Sequence, residues 1–422
     1  MPPRAFTPGL EALCGTALAL VARTSDTASL ALAELVVRRY NGLEPTERRA
    51  FLHFLLEEMG PSCADIDSAI ERYRAERSQV SMARLAQSAE ARRQQFLRAL
   101  NMATGGTRTI LSMRADVLSA LREHPELAPV ETDLHHLLAS WFNRGFVTLE
   151  RINWRSPGAV LERLIEYEAV HEIRGWDDLR RRLEWDRRCF GFFHPAIADD
   201  PLIFIEVALS RGGPSSIQEV LDAPVGPNDE GAQDTAVFYS ITNCQPGLQG
   251  IPLGSFLIKQ VMQELKAELP RLEHFWTLSP IPGFARWLAS EGSAYLSASE
   301  VSALDLLEDP LWVEDPERSE ALKPVLLRAC ARYLVMARRG NQPADPVARF
   351  HLRNGARLHR LNWLGDRSRK GLRESHGLLV NYVYDQGEID SNHDAFVYDG
   401  AVVRSSLIDE LLGTEPQRMT SP

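Results

Sequence analysis

The sequence predicts an α+β chain of two domains, an N-terminal helical bundle over residues 1–144 followed by a mixed α/β domain over residues 145–422. Three observations carry that prediction. Apolar residues recur at helical spacing almost without a break from Gly9 to Arg144. After Gly145 short apolar runs of strand length alternate with helical segments. Within this second part the run Val237-Phe238-Tyr239-Ser240-Ile241 precedes Leu248-Gln249-Gly250-Ile251-Pro252-Leu253-Gly254-Ser255 and the apolar stretch Phe256 to Leu265. That succession reads as a buried strand, a glycine-containing loop and a helix start, where free backbone N–H groups converge.

In the first domain, Leu32, Leu35 and Val36 mark one helix, and Phe51, Leu52, Leu55, Leu56 and Met59 trace the apolar face of the next, with Pro45 near its start. Further helices are expected around Ile66 to Arg77, Met82 to Asn101, Ile110 to Leu121 and Leu134 to Phe142. No fixed-period repeat is present, so a compact bundle is expected rather than a solenoid. His135 and His136 are adjacent on a helix and face different directions, which argues against a shared metal.

In the second domain, Phe146 to Trp154 reads as a strand, Pro157 to Val170 and Trp176 to Leu183 as helices, and Cys189 to Phe193 and Leu202 to Leu209 as strands. A polar, Gly/Pro-rich stretch from Arg211 to Asp234 precedes the strand at Val237. After the loop and its helix come a strand at Phe275 to Leu278, helices around Ala298 to Leu306 and Glu320 to Arg338, and closing strands at Leu378 to Tyr384 and Ala395 to Val403.

A composition of 44% hydrophobic and 25% charged residues over 422 positions is globular and leaves room for two domains. The formal net charge of −10 argues against nucleic-acid binding, which draws on clustered Lys and Arg. Five cysteines (Cys14, Cys63, Cys189, Cys244, Cys330) form no Cys-x-x-Cys pair, which suits a reducing compartment and offers no zinc site. The longest weak apolar candidate, Ala17 to Ala22, falls far short of the roughly 18 residues a membrane span needs, so no membrane is expected. Arg4 is followed by no secretory core, and Met419-Thr420-Ser421-Pro422 is no peroxisomal address, which makes a cytoplasmic location the expectation.

The loop is the first candidate site. Glycine lets backbone approach an anion, and a helix N-terminus adds partial positive charge, so a ligand carrying phosphates is expected. The P-loop and the Rossmann fingerprint both fail on spacing. The loop resembles instead the pyrophosphate loop of GNAT-type acyl-CoA enzymes, Gln/Arg-x-x-Gly-x-Gly/Ala, with Gln249 and Gly254 in place and Pro252 where the first glycine belongs. The element order also resembles that fold, so the second domain is expected to be a GNAT-like acyl-CoA-binding α/β domain. Ser279, at the end of the strand after the loop helix, stands where a polar group beside a thioester is needed, and equally where a helix N-cap before Pro280 belongs. His351, ahead of Asn354-Gly355, is a candidate proton carrier. Cys244 has neither cation nor base beside it in sequence and reads as a structural thiol, while Lys259, one turn into the loop helix, reads equally as a phosphate contact or a solvated lysine.

Several phrases together carry a more specific resemblance. They are Val237-Phe238-Tyr239-Ser240-Ile241, Gly247-Leu248-Gln249-Gly250, Leu278-Ser279-Pro280-Ile281-Pro282-Gly283-Phe284, Phe350-His351-Leu352-Arg353-Asn354-Gly355-Ala356, and Gly377-Leu378 with Asn381-Tyr382-Val383-Tyr384. They resemble the malonyl-CoA decarboxylase family, across essentially the whole second domain. The resemblance implies conversion of malonyl-CoA to acetyl-CoA and carbon dioxide, with Ser279 and His351 catalytic and with Ser240, Tyr384 and the loop residues Gln249, Gly250, Ile251, Pro252, Leu253, Gly254 and Ser255 binding substrate. It also implies no metal or organic cofactor, coenzyme A being part of the substrate, and a homo-oligomer, dimer or tetramer, formed through the helical domain. A glutamate of the family falls on Pro252, which leaves open what supports His351. The alternatives are an N-acyltransferase of the GNAT type and a non-catalytic acyl-CoA sensor; acyl transfer to an amine would mark the first, and tight binding without turnover the second.

Overall fold

The computed structural model describes residues 7–22, 26–143, 145–224, 232–251 and 257–413. They fall into two compact units. The first takes in Met1–Thr148 with Phe192–Ile203 and Asn243–Leu253, and the second Leu149–Gly191, Phe204–Thr242 and Gly254–Pro422, each as far as described.

The helices of the first unit are α1 (Pro8–Ala22), α2 (Asp26–Asn41), α3 (Pro45–Glu57), α4 (Cys63–Glu76), α5 (Gln79–Ser88), α6 (Arg92–Asn101), α7 (Gly106–Ala120) and α8 (Ala128–Trp141). Pro45 opens α3, and Glu47 reaches back to accept the Glu44 N–H at 3.0 Å, so the start of the helix is satisfied locally. Its apolar stripe then packs inward, with the Phe51 ring meeting Tyr40 and Phe96 edge-on at 5.8 and 6.1 Å. The helix expected over Met82 to Asn101 is two, α5 and α6, parted at Ala89 to Ala91. No glycine or proline marks that break. The cause is tertiary: the Arg93 N–H donates to Met59 O at 2.9 Å, and its buried guanidinium lies 2.6 Å from the Asp133 carboxylate.

A turn at Pro246–Leu248 packs against α7 within this unit. Buried Arg114 donates Nη1 to Gly247 O at 2.6 Å and Nη2 to Glu131 Oε1 at 2.8 Å. A side chain on Gly247 would place its Cβ 2.2 Å from Leu111 O, so close approach of two backbones dictates glycine there. Gly250 is glycine for another reason, its φ of +79°. The next loop residues, Pro252, Leu253, Gly254 and Ser255, lie outside the described residues, and with them the expected anion cradle.

The second unit is built on a mixed sheet. Its strands are β1 (Thr148–Ile152), β2 (Arg187–Phe193), β3 (Ile203–Ser210), β4 (Thr235–Asn243), β5 (His274–Thr277) and β6 (Ser279–Pro280), the separate pair β7 (Arg338–Arg339) and β8 (Gln342–Pro343), then β9 (Arg357–Asn362) and β10 (Leu379–Val383). The helices are α9 (Gly158–Tyr167), α10 (Trp176–Arg182), α11 (Ile217–Leu221), α12 (Leu257–Glu268), α13 (Phe284–Ser290), α14 (Ala298–Ala303), α15 (Pro316–Met336), α16 (Pro346–Arg353), α17 (Arg369–Ser375), α18 (Ile389–Asp399) and α19 (Ser406–Leu412). The sheet order is β1-β2-β3-β4-β5-β10-β6, with β9 paired to β10. Strand, two helices, three strands, helix and strand follow one another as the sequence predicts, with the short α11 added inside the polar stretch.

Strands β4 and β5 run parallel, in register from Thr235↔His274 to Phe238↔Thr277. There they part. The Leu278 N–H makes a last bond to Phe238 O at 2.9 Å; β4 runs on to Asn243, while the other chain turns into β6 and pairs antiparallel with β10 at Val380↔Ser279. Behind β4 an apolar cluster of Ala208, Ile217, Val220, Val237, Tyr239, Leu278 and Leu379 anchors the fork.

Two expectations are corrected here. Ser279 is not a helix N-cap: it lies in β6, and α13 begins only after Gly283, which frees the Ser279 hydroxyl for other partners. The strand expected at Ala395 to Val403 falls largely in α18, whose buried residues Ile389, Asn392 and Phe396 follow helical spacing and which ends at Gly400 with φ +66°. No described helix is long and apolar enough to cross a membrane.

Adding a methyl at Gly247 forces α7 and the turn apart. Gly247→Ala is expected to lower unfolding free energy by about 2 kcal/mol, read as a reduced denaturant midpoint at unchanged slope.

Candidate active site

The site grows out of the fork. Thr277 and Ser279 are two positions apart at its base, and Ser279 Oγ donates to Thr277 Oγ1 at 2.9 Å. Thr277 Oγ1 also accepts the Tyr382 N–H at 3.0 Å, and Thr277 O accepts Asn381 Nδ2 at 2.6 Å. His351 arrives on α16, whose start is fixed by Pro346 and by the Asp345 carboxylate accepting the Ala348 N–H at 2.8 Å. Its Nε2 lies 3.1 Å from Ser279 Oγ and its Nδ1 lies 2.8 Å from the Tyr384 hydroxyl. Tyr382 stacks on the imidazole, centroids 4.6 Å apart and planes within 24°, and Phe350 meets its edge at 5.1 Å.

Ser279, His351 and Tyr384 are 5%, 3% and 2% exposed. Burial pushes the His351 pKa down to about 3, so the imidazole is neutral at physiological pH. Burial pushes the Tyr384 phenol well above its ordinary value, so it keeps its proton. The partners then assign one direction to the whole chain of bonds: Tyr384 O–H to Nδ1, Nε2–H to Ser279 Oγ, Ser279 O–H to Thr277 Oγ1. Where a carboxylate is the familiar support of a catalytic histidine, a phenol stands instead.

Ser240 sits on β4 just past the fork. Two positions before it, Phe238 packs against the Tyr384 ring at 6.4 Å, so Ser240 points to the face of the sheet that Tyr384 occupies. Its hydroxyl donates to Glu168 Oε2 at 2.7 Å, with Thr242 Oγ1 adding a bond to the same oxygen at 3.3 Å. Glu168 Oε1 accepts the N–H groups of Val170 and His171 at 2.7 and 2.8 Å. Sequence reading absorbed Glu168 into a helix expected to reach Val170; α9 ends at Tyr167, and Glu168 has extended backbone. Thr277 was also missed, although the alternation Thr277-Leu278-Ser279 at a strand end is a visible signal that both hydroxyls share a face.

Gln249, Gly250 and Ile251 belong to the first unit. Lys259 Nζ is held by Asp390 Oδ1 at 2.6 Å, and Cys244 is a buried thiol whose N–H donates to Leu202 O at 2.9 Å. His135 and His136 join no metal-ligating group of three among the described residues.

A polar chain of serine, neutral histidine and tyrosine, buried at the point where two parallel strands diverge, has the make-up of an enzyme's active site, in a unit preceded by a helical region. A family model described as the malonyl-CoA decarboxylase C-terminal domain matches residues 145–421, and one for the N-terminal domain of the same family matches residues 59–142. The mitochondrial malonyl-CoA decarboxylase of the goose Anser anser anser is 36% identical over 398 residues, covering 86% of this chain and 79% of its own length. That of Rattus norvegicus is 38% identical over 321 residues, covering 69% and 65%. Among solved structures, malonyl-CoA decarboxylase from Rhodopseudomonas palustris superposes with a TM-score of 0.92 at 46% identity over 95% of this chain and 99% of its own. The Cupriavidus metallidurans protein does so with a TM-score of 0.75 at 33% identity over 96% and 100%. The chain belongs to the malonyl-CoA decarboxylase family.

The buried imidazole makes stability pH-dependent. With a folded pKa near 3 against an ordinary 6.5, His351 takes up its proton more readily when unfolded, so its stability contribution is lost as pH falls below about 6.5. His171 and His376, each lowered by burial to about 4, act in the same sense. Glu206 and Asp345, raised by burial to about 8 and 6, act in the opposite one. Comparison with His351→Gln isolates the histidine: between pH 7 and 5 the parent is expected to lose about 2 kcal/mol more than the variant in urea unfolding.

Proposed function

We propose that the chain converts malonyl-CoA to acetyl-CoA and carbon dioxide with Ser279, His351 and Tyr384 as the reacting wall and the thioester as the electron sink. Family membership supports the reaction, and the directed bonds from Tyr384 through His351 to Ser279 are the observation that carries the assignment of residues. Cleavage of the carboxylate bond leaves an electron pair on the α-carbon, delocalised onto the thioester oxygen. Each donor aimed at that oxygen is worth about 3 kcal/mol in the transition state. A carboxylate brought beside side chains so nearly dry also loses hydration, which favours departure of neutral carbon dioxide.

The enolate then needs a proton on carbon. Its α-carbon is a far stronger base than phenolate, so no imidazolium is required. Nε2–H swings from Ser279 Oγ to the α-carbon as Tyr384 O–H moves to Nδ1; the Nδ1 proton then returns to the tyrosinate as a proton from solvent restores Nε2–H. As substrate enters, the Ser279 O–H turns from Thr277 Oγ1 to donate to the malonyl carboxylate and orients it. Ser240 has its proton committed to Glu168 and offers only an acceptor, which suits an amide N–H of the pantetheine arm better than an anionic carboxylate. Gln249 to Ser255 hold the coenzyme phosphates. No metal or added cofactor takes part, residues 1–144 serve self-association, and the chain works in the cytoplasm, a reading favoured by five scattered cysteines with no Cys-x-x-Cys pair.

Incubation of the EDTA-treated protein with malonyl-CoA is expected to yield acetyl-CoA and carbon dioxide in equal amounts. His351→Gln should lower kcat by about 100-fold or more, and Tyr384→Phe by about tenfold with KM little changed. The profile of kcat/KM should show no acid limb from His351 above about pH 4. Acyl transfer to an amine with no malonyl-CoA decarboxylation, or full turnover by His351→Gln, would overturn the proposal.

Glu168→Gln replaces one acceptor oxygen by a donor where all neighbours donate. It should raise KM about tenfold while kcat stays within about twofold of the parent; a fall confined to kcat would place Glu168 in the chemical step instead.

A further inference from the structure

Outside the catalytic domain one group of side chains has no part in the mechanism above. His53 lies on α3 between Leu52 and Phe54 and is 6% exposed. Glu126 belongs to the single turn of 3₁₀ helix, Pro125–Leu127, that leads into α8, and His124 stands at its N-cap. Glu126 Oε1 is 3.1 Å from His124 Nδ1 and 3.8 Å from His53 Nε2. The two imidazoles stand edge to face, 85° apart with centroids at 5.3 Å. The ligating atoms of all three residues lie within 4.8 Å of one another, and no other group of three such residues is this close among the described residues.

We propose that His53, His124 and Glu126 bind one zinc ion that ties α3 to the turn before α8. Tetrahedral zinc with bonds of about 2.0–2.1 Å spaces its ligand atoms roughly 3.3 Å apart, so from within 4.8 Å the three need to close by about 1.5 Å at most. Two imidazoles and one carboxylate match the preference of zinc, whereas calcium and magnesium take oxygen sets. One ligand is rooted in the core while the other two are half open to solvent, with side-chain exposures of 30% for His124 and 49% for Glu126. That arrangement gives the ion an entry path and leaves a fourth position for water. The ion bridges elements whose link is otherwise a few contacts between α3 and this turn, so its effect is on the stability of the helical unit and not on turnover.

The test uses tag-free, full-length protein stripped with a chelator and titrated with zinc chloride. Calorimetry against a competing chelator is expected to give one zinc per chain with a dissociation constant at or below about 1 μM, and the melting temperature should rise by several degrees. His124→Ala and Glu126→Ala, both at solvent-exposed positions that leave the core intact, should each weaken binding about tenfold or more and remove the thermal shift, with decarboxylation unchanged. Absence of saturable binding, or zinc uptake of the same affinity in both variants, would overturn the proposal; the latter would assign the metal to another site such as the exposed Cys63.

Discussion

Thr277 sets the geometry on which the second unit and its candidate site depend. At this residue β10 exchanges one neighbour, β5, for another, β6, and a regular ladder would leave backbone groups without partners. The threonine hydroxyl takes the Tyr382 N–H in place of a carbonyl, its own carbonyl takes the Asn381 amide, and Asn381 Oδ1 gathers Asn362 Nδ2 at 2.8 Å and Arg360 Nε at 3.1 Å. Two of the three side chains of the candidate site hang within two positions of this staple, and the third packs on it. Ser279 follows Thr277 by two residues, Tyr384 follows Tyr382 by two, and Tyr382 itself is the plate on which His351 lies. The same strands that open to form the fork thus aim the groups that work in it.

Electrostatics and packing reinforce one another here. His351 occupies the last turn of α16, where unpaired carbonyls favour a protonated ring, yet burial between Tyr382 and Phe350 outweighs that preference. Glu168 is the contrasting case. It is a buried carboxylate kept stable by donors on both oxygens, two of them backbone N–H groups, and it shapes the site only through Ser240.

The sequence made the succession of elements readable because long apolar periods and short strand-length runs are local properties. It was less informative wherever a distant partner decides. The break between α5 and α6 answers to Met59 and Asp133, and the helix over Ile389–Asp399 answers to a buried face that its aromatic and β-branched residues disguise. Ser279 before Pro280 carries the local signature of an N-cap, and only the pairing of β6 with β10 shows why that signature does not apply. Ser279 and His351 stood out singly, by place in the chain and by chemistry, and Tyr384 through a resemblance. Their mutual bonds, like the partnership of Ser240 with Glu168, span from 33 to 72 positions of chain, beyond the reach of any periodicity.

The interleaved composition of the first unit bears on how the chain is made. Helices α1 to α8 leave the ribosome early, but the turn Pro246–Leu248, which receives Arg114 and packs against α7, is synthesised only after β2, β3 and β4. A guanidinium as deeply buried as that of Arg114 stays without its Gly247 acceptor until then. Maturation of the helical unit is therefore delayed until much of the mixed sheet exists, which couples two regions that vectorial synthesis would otherwise let fold in turn.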